Sequence, residues 1–362
     1  MGLTALQQQG KDLGALSLGE YHGATTAARF GDLRAERAAL SEQCAVYDLG
    51  FRAKLVLSGS DRVRWLNGMV TNNIRDLAAG HGVYAFLLNP QGRILGDLYA
   101  YNRGESISVD TDHSQAEKVL ATFEHYIIMD DVEVSNVSDE ITGLGVSGPG
   151  GREVLARAGF EVPEMQPLQL HSESWRNTEC SLVRGERENY EIWIACRSVR
   201  QLWDALLEAG ATPVGFEALE LDRIGAGVPA FGVDIRERDL PQETEQSRAL
   251  NFNKGCYVGQ EIVERIRSRG AVHRKFTGLL VDGDVQAGSK VVSDSRDVGE
   301  ITSVAALPTR DNQRIALGYI RRELGTPGRE FTIGSTKATV VQLPLAPAAQ
   351  SSRESSLEQR PA

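Results

Sequence analysis

Metal and disulfide chemistry are the first things this sequence does not offer. Its four cysteines, Cys44, Cys180, Cys196 and Cys256, stand far apart, with no CxxC pair and no zinc-type spacing. Reduced thiols are the natural state of such a set, and a cytoplasmic location is expected. The six histidines form no HExxH or HxxxH pair, so no metal site is expected. No apolar run approaches the ~18 residues of a membrane-spanning helix. The opening stretch, MGLTALQQQGKDLGALSLGEYHG, has no basic region followed by an apolar core, so no secretory leader is expected. A net charge of −10 argues against a general binder of nucleic acid or of acidic membranes. SGPGGREVL at 147–155 fits neither GxGxxG nor GxxxxGK[ST], and reads as a turn into a helix rather than a phosphate loop.

What is present is patterned. FRAKLVLSG alternates as a half-buried strand, with Phe51, Ala53, Leu55 and Leu57 on one face. SDRVRWLNGMV then carries Val63, Leu66 and Val70 at helical spacing behind Ser60. GVYAFLLN, RILGDLYAYN and SISVD follow as short strands parted by turns, then the helix SQAEKVLATFEHY and the strand VEVSNV. This β-α-β-β-β-α-β order predicts a ferredoxin-like antiparallel sheet with one extra strand. A similar order runs from ITGLGVSG to SVRQLWDALLEAG and suggests two related halves. After residue 273 the helical periodicity stops. KFTGLLVDG, SKVVS, GEITSVAAL, QRIALGYI, EFTIGS and TKATVVQL read as strands of a small barrel. Residues 1–273 are thus expected to form one region of two lobes and 274–345 a barrel. The Ser-, Ala- and Pro-rich stretch 346–362 is expected to be disordered.

The densest chemistry lies in KGCYVGQE, residues 254–261. Ile262, Val263 and Ile266 share a helical face, Glu261 and Arg265 stand at i,i+4, and Gly270 suits the end of the helix. Cys256 therefore falls just before a helix N-terminus, beside Lys254. Both positive influences favour thiolate over thiol. Gln260 and Glu261 are placed to orient a partner or handle a proton. The bland alternative is a tight turn with a small buried cysteine and a solvated lysine. The basic stretch ERIRSRGAVHRK reads either as a solvated face or as an anion-attracting rim.

KGCYVGQE, with DRIGAGVPAFGVDI, LPQE and VHRKFTGLLV around it, resembles the signature of the YgfZ-type folate-binding proteins, a family that includes assembly factors for iron–sulfur proteins. YDLGFRAKLVLSG, TNNIRDL, LLNPQGRILGDL and YIIMDDVEV resemble the broader GcvT-like superfamily shared with the glycine-cleavage aminomethyltransferase. The resemblance implies an α+β fold in which antiparallel sheets with helices form a three-lobed ring around a central channel, followed by a C-terminal β-barrel. It also implies tetrahydrofolate, or a one-carbon derivative, in that channel. The transferase branch has an aspartate pair, I-[LIV]-D-D-L, where this chain reads ILGDL: Asp97 is kept and Gly96 replaces its neighbour. Tyr84 matches a tyrosine of the folate wall, and Asp110 stands where the transferase tends to have asparagine. Glu191 matches a glutamate that hydrogen-bonds the pterin, and Arg223 falls in a helix lining the channel.

The sequence is accordingly expected to encode a tetrahydrofolate-binding protein that assists assembly or repair of iron–sulfur clusters in particular enzymes, including tRNA-modifying ones. Cys256, Lys254, Gln260 and Glu261 would form its working group, and its partners would be client enzymes or assembly proteins rather than nucleic acid or membrane. The alternative is a folate-dependent aminomethyltransferase working through Asp97. Whether there is catalytic turnover stays open at this point.

Overall fold

The alternation of Ala53, Leu55 and Leu57 becomes the strand Arg52–Ser58 in a computed structural model that describes residues 2–10, 13–270, 272–306 and 313–345. The stretch 346–362, expected to be disordered, lies outside the described residues. The chain divides into two compact units. The first comprises the residues up to Glu220 together with Gln246–Ser268, the second Leu221–Glu245 together with the chain from Arg269 onward.

In the first unit Arg52–Ser58 belongs to a five-stranded antiparallel sheet. Its order is His81–Leu88, Ile94–Asn102, Ile107–Asp112, Arg52–Ser58, Glu133–Asn136. Without its first edge strand this is the ferredoxin-like order. Leu55, Leu57, Leu87, Leu98 and Val109 point to one face, where Leu66 of the helix Arg62–Met69 and Val119 and Phe123 of the helix His113–Tyr126 bury them. Removing such side chains from water is what holds the helices on the sheet, at roughly 1.5–3 kcal/mol for each large one.

A second sheet in the same unit runs Leu170–Trp175, Thr178–Arg184, Asn189–Ala195, Ile141–Ser147, Ala45–Asp48, Thr212–Pro213, with only the last pair parallel. Leu144, Val146, Leu182, Ile192 and Ile194 meet Val154, Leu155, Leu202 and Trp203 of the helices Gly151–Ala158 and Val199–Glu208. The strand order 170–178–189–141 repeats 81–94–107–52 of the first sheet, so the order repeated in the sequence is a repeated topology. The helix-free faces of the two sheets meet at Tyr101, Leu170, Val183 and Trp193, with the Tyr101 and Trp193 rings edge to face at 5.1 Å.

In the second unit all six strands read after residue 273 form one closed barrel. Its order is Arg274–Val281, Arg314–Arg321, Arg296–Ala306, Lys290–Ser293, Glu330–Ile333, Thr336–Val341, and the last pairs back onto the first. Leu279, Val291, Ile301, Ile320, Phe331 and Val340 fill it. Closure leaves no free strand edge. Among the described residues no helix is long and apolar enough to cross a membrane.

Candidate functional site

The face of the five-stranded sheet turned away from its helices carries charge. Strand alternation puts Tyr84, Asp97, Tyr99, Asp110, Asp112, Arg52 and Lys54 there, because their neighbours Ala85, Leu98, Ala100, Val109, Ala53 and Leu55 are buried on the helix side. Register then brings them side by side: Tyr84 opposite Tyr99, Tyr99 opposite Asp110, Lys54 opposite Asp110, Arg52 opposite Asp112.

Asp97 is gripped by donors. The Tyr84 hydroxyl donates to its Oδ2 at 2.6 Å and Gln115 Nε2 to its Oδ1 at 2.8 Å, while its own N–H donates to Gln115 Oε1 at 2.9 Å. Burial, and then the charge of Asp112, raise the Asp97 carboxyl above the ordinary carboxylate range; the bonds from Tyr84 and Gln115 pull the other way. Burial and the facing carboxylate also hold the Tyr84 phenol far above its usual value, so it remains a donor.

Asp110 behaves oppositely. Burial opposes its ionisation, but Arg52 Nη2 at 2.8 Å and Lys54 Nζ at 2.7 Å outweigh burial and hold the carboxyl low. Asp112, between Arg52 and His22, is likewise lowered against burial. One sheet face therefore holds a carboxyl biased toward the proton-bearing form beside two biased toward the anion. Environments that push carboxyl groups apart in this way divide proton-carrying from charge-holding roles.

Glu191, on the strand Asn189–Ala195 of the second sheet, accepts from Trp193 Nε1 at 2.9 Å. Its carboxyl is raised, first by burial and then by the charge of Asp110, with Lys54 acting against this. Tyr84, Asp97, Asp110 and Glu191 thus share one neighbourhood. Arg223 belongs to the second unit, where its guanidinium donates to Asp234 Oδ2 at 2.7 Å, to the Val228 carbonyl at 3.0 Å and to Ser303 Oγ at 3.2 Å.

KGCYVGQE is a docking segment as well as a cysteine loop. The Lys254 ammonium donates to the carbonyls of Asn67, Val70 and Asn72 at 2.5–2.7 Å, all at or just past the end of the helix Arg62–Met69, where helix carbonyls lack partners. Burial pulls Lys254 down to about 7. Gly259 has φ +81°, and a Cβ there would stand 2.5 Å from the Asn89 carbonyl; one on Gly92, at φ +70°, would stand 2.7 Å from Cβ of Ile262. The Asn89–Gly92 turn and this loop therefore approach so closely that both positions need glycine. Cys256 is exposed, whereas Cys44 and Cys180 are buried, with thiols pushed up to about 11, chiefly by burial. The helix begins at Gln260, whose N–H donates to the Tyr257 carbonyl at 3.2 Å. Glu261 pairs with Arg265 at 2.6 Å. Arg267 pairs with Glu264 and Arg274 with Asp239 and Glu243, so this part of the basic stretch is matched internally.

Four residues of the site are not among the candidates that the sequence singles out: Arg52, Tyr99, Gln115 and Arg248. Arg248 lies 4.2 Å above the Tyr84 ring, donates to the Tyr99 hydroxyl at 3.4 Å and pairs with Glu186. Arg52 and Tyr99 could have been found from the strand alternation that places Asp97 and Asp110. Nothing local marks Arg248.

Comparison with known proteins agrees with this architecture. Residues 7–254 match the GCVT N-terminal domain and residues 274–346 the glycine cleavage T-protein C-terminal barrel domain, so the chain belongs to that family. It is similar to an aminomethyltransferase of Halothermothrix orenii, 26% identical over 95% of this chain and 100% of the relative. It is also similar to one of Rubrobacter xylanophilus, 27% identical over 88% of this chain and 87% of the relative. A putative chloroplastic transferase of Arabidopsis thaliana is 24% identical over 82% of this chain and 69% of its own length. The crystal structure of the glycine cleavage system aminomethyltransferase T from Bartonella henselae matches with a TM-score of 0.86, covering 95% of this chain and 97% of that one. At its 21% identity this last likeness is one of fold.

Proposed function

We propose that this protein binds a reduced folate and acts in transfer of an aminomethyl or related one-carbon unit, with Asp97 as the group that holds and moves the proton. The observation that carries this is Asp97 itself: a half-buried carboxyl, raised in pKa and fixed by Tyr84 and Gln115. A carboxyl with those properties is biased toward the proton-bearing form and can exchange that proton with a substrate nitrogen. Membership of the glycine cleavage T-protein family and the relatives named aminomethyltransferase favour this reading over the iron–sulfur one.

The residues present suit a folate. A flat, N–H-rich heterocycle needs aromatic walls and carboxylate acceptors, which Tyr84, Tyr99, Asp97 and Glu191 supply. When bound, tetrahydrofolate would provide the nitrogen that accepts the one-carbon unit. The chain's own part is to orient that nitrogen, hold Asp97 in place through Gln115, and keep Tyr84 as a donor. The test is formation of methylenetetrahydrofolate from an aminomethyl donor. The wild type is expected to form it and Asp97→Asn to lose it. A wild type that binds tetrahydrofolate yet forms no product would sink the transfer reading.

A second reading is favoured by one observation. Cys256 is the exposed cysteine of the four and sits in a loop held firmly by Lys254. A YgfZ-type protein serving iron–sulfur clients, with Cys256 as its working thiol, would need such a placement. A lone cysteine cannot hold a cluster that ordinarily takes four protein ligands, so it would act with a client or assembly partner. Under this reading Cys256→Ser abolishes support of an iron–sulfur enzyme while leaving folate binding intact.

A further inference from the structure

Arg248 stands outside the sheet that carries Asp97, on the short helical turn Ser247–Ala249. The stretch TNNIRDL pins that turn to the strand of Tyr84. Asn72 Nδ2 donates at 2.8 Å both to the Tyr84 carbonyl and to the Arg248 carbonyl, and Thr71 Oγ1 donates to the Ala249 carbonyl at 2.6 Å. The Arg248 guanidinium then lies 4.2 Å above the Tyr84 ring. Three acceptors keep it there: Gln246 Oε1 at 3.2 Å, the Tyr99 hydroxyl at 3.4 Å and the carboxylate of Glu186. Glu186, on the turn between the strands Thr178–Arg184 and Asn189–Ala195, also accepts from the Tyr99 hydroxyl at 3.0 Å.

A half-exposed ion pair needs no aromatic face and adds little stability by itself. What this arrangement does is set a positive charge against the π face of the phenol that donates to Asp97. The cation draws electron density from the ring, so the hydroxyl becomes a stronger donor. Arg248 accordingly opposes the burial that raises the Tyr84 phenol. That hydroxyl bonds Asp97 Oδ2 at 2.6 Å, and a stronger donor to a carboxylate favours the anion. Of the charged groups on this sheet face, Asp110 and Lys54 are paired, while Asp112, itself paired with His22, raises Asp97 and Arg52 lowers it. The helix His113–Tyr126 contributes the neutral Gln115.

We infer that Arg248 is a positioning residue for the Asp97 proton: it polarises the Tyr84 hydroxyl, which in turn fixes how readily Asp97 gives that proton up. Burial and Asp112 alone would leave Asp97 holding its proton too tightly to pass it on, and Arg248 offsets them through the phenol. This rests on the reading of Asp97 as the group that moves the proton. Its test is made on the folate-free protein, so that the two can fail separately.

Nuclear magnetic resonance of the full chain, labelled with carbon-13 at the aspartate carboxyl groups, gives the titration midpoint of Asp97, assigned by its loss in Asp97→Asn. Arg248→Met is expected to raise that midpoint by about half a pH unit. Arg248→Lys, which keeps a cation over the ring, is expected to restore most of the wild-type value. In a Tyr84→Phe background Arg248→Met is expected to leave the midpoint unmoved, because the hydroxyl that connects the two is gone. If Arg248→Met does not fold, Arg248→Gln serves for the same measurement. A midpoint unchanged by loss of the guanidinium overturns the inference. An equal rise in the Tyr84→Phe background shows a direct effect of charge and overturns it too. A wild type that forms no methylenetetrahydrofolate yet shows these shifts overturns the transfer reading and leaves the role of Arg248 intact.

Discussion

Gln115 holds Asp97 at both ends: its Oε1 accepts the aspartate's backbone N–H at 2.9 Å and its Nε2 donates to the carboxylate at 2.8 Å. A helix side chain thereby fixes the rotamer of a strand carboxyl. Gln115→Leu keeps the volume and removes both bonds, leaving a half-buried N–H without a partner. We expect a loss of about 1–3 kcal/mol in unfolding free energy, with weaker tetrahydrofolate binding. Denaturant titration and calorimetry would check the two effects, and unchanged values in both would remove Gln115 from the site.

The same glutamine also crowds Gly96, the residue beside Asp97. A Cβ on Gly96 would lie 2.9 Å from Gln115 Oε1 and 3.4 Å from Val119 Cγ2. Gly96→Asp is expected to destabilise by about 1–3 kcal/mol through crowding. In the Gly96→Asp, Gln115→Ala double variant the cost should be less than additive, because the clashing amide has gone. Strict additivity in a double-mutant cycle would refute this account.

Asp97 and Asp110 predict opposite pH behaviour. Folding raises the Asp97 pKa, so the folded state holds the proton longer than the unfolded one. Ionisation therefore costs stability as pH climbs above the unfolded value of about 3.9. Asp97→Asn should be more stable than wild type at neutral pH, with the difference vanishing near pH 3. Asp110 is lowered on folding, so its contribution is present above the unfolded value and is lost as pH falls through the folded one. Asp110→Asn should be destabilised at neutral pH, leaving Arg52 and Lys54 underpaired. Chemical denaturation across pH for both variants decides the signs.

Thiol chemistry should single out Cys256. At pH 8 a thiol with a pKa of about 11, as for Cys44 and Cys180, is ionised to about one part in a thousand, and Cys196 is raised as well. Alkylation of the folded protein is expected to modify Cys256 first, and Cys256→Ser to remove the fast phase. Mass mapping that finds another cysteine labelled first would count against an accessible Cys256.

Lys254→Met tests the docking role of the signature. Three carbonyls at the end of the helix Arg62–Met69 would lose their donor. We expect about 1–3 kcal/mol of destabilisation, together with faster hydrogen exchange at the N–H groups of Asn251 and Val258, which bond to Thr71 and Gly68. Exchange rates equal to wild type would show that the ammonium does not hold the segment.

The sequence by itself determined the elements. Period-two alternation marked the strand through Ala53, Leu55 and Leu57, the Pro90–Gly92 and Arg103–Gly104 turns set off the strands carrying Tyr84, Asp97 and Asp110, and the loss of helical periodicity after residue 273 marked the barrel, because a half-buried strand must alternate and a meander strand must leave its neighbour by a turn. The pattern of residues 1–50 was not resolved into elements, although it forms the hairpin of Ser17–Tyr21 with Ala24–Arg29 and the helix Leu33–Glu42. Only the tertiary structure decided which charges meet. Arg248 is 164 positions from Tyr84 in the chain and lies over its ring, and Lys254 closes a helix end 184 positions away. Alternation says which side of a strand a residue takes; it does not say what the rest of the chain brings to that side, and the pKa of each carboxyl depends on that.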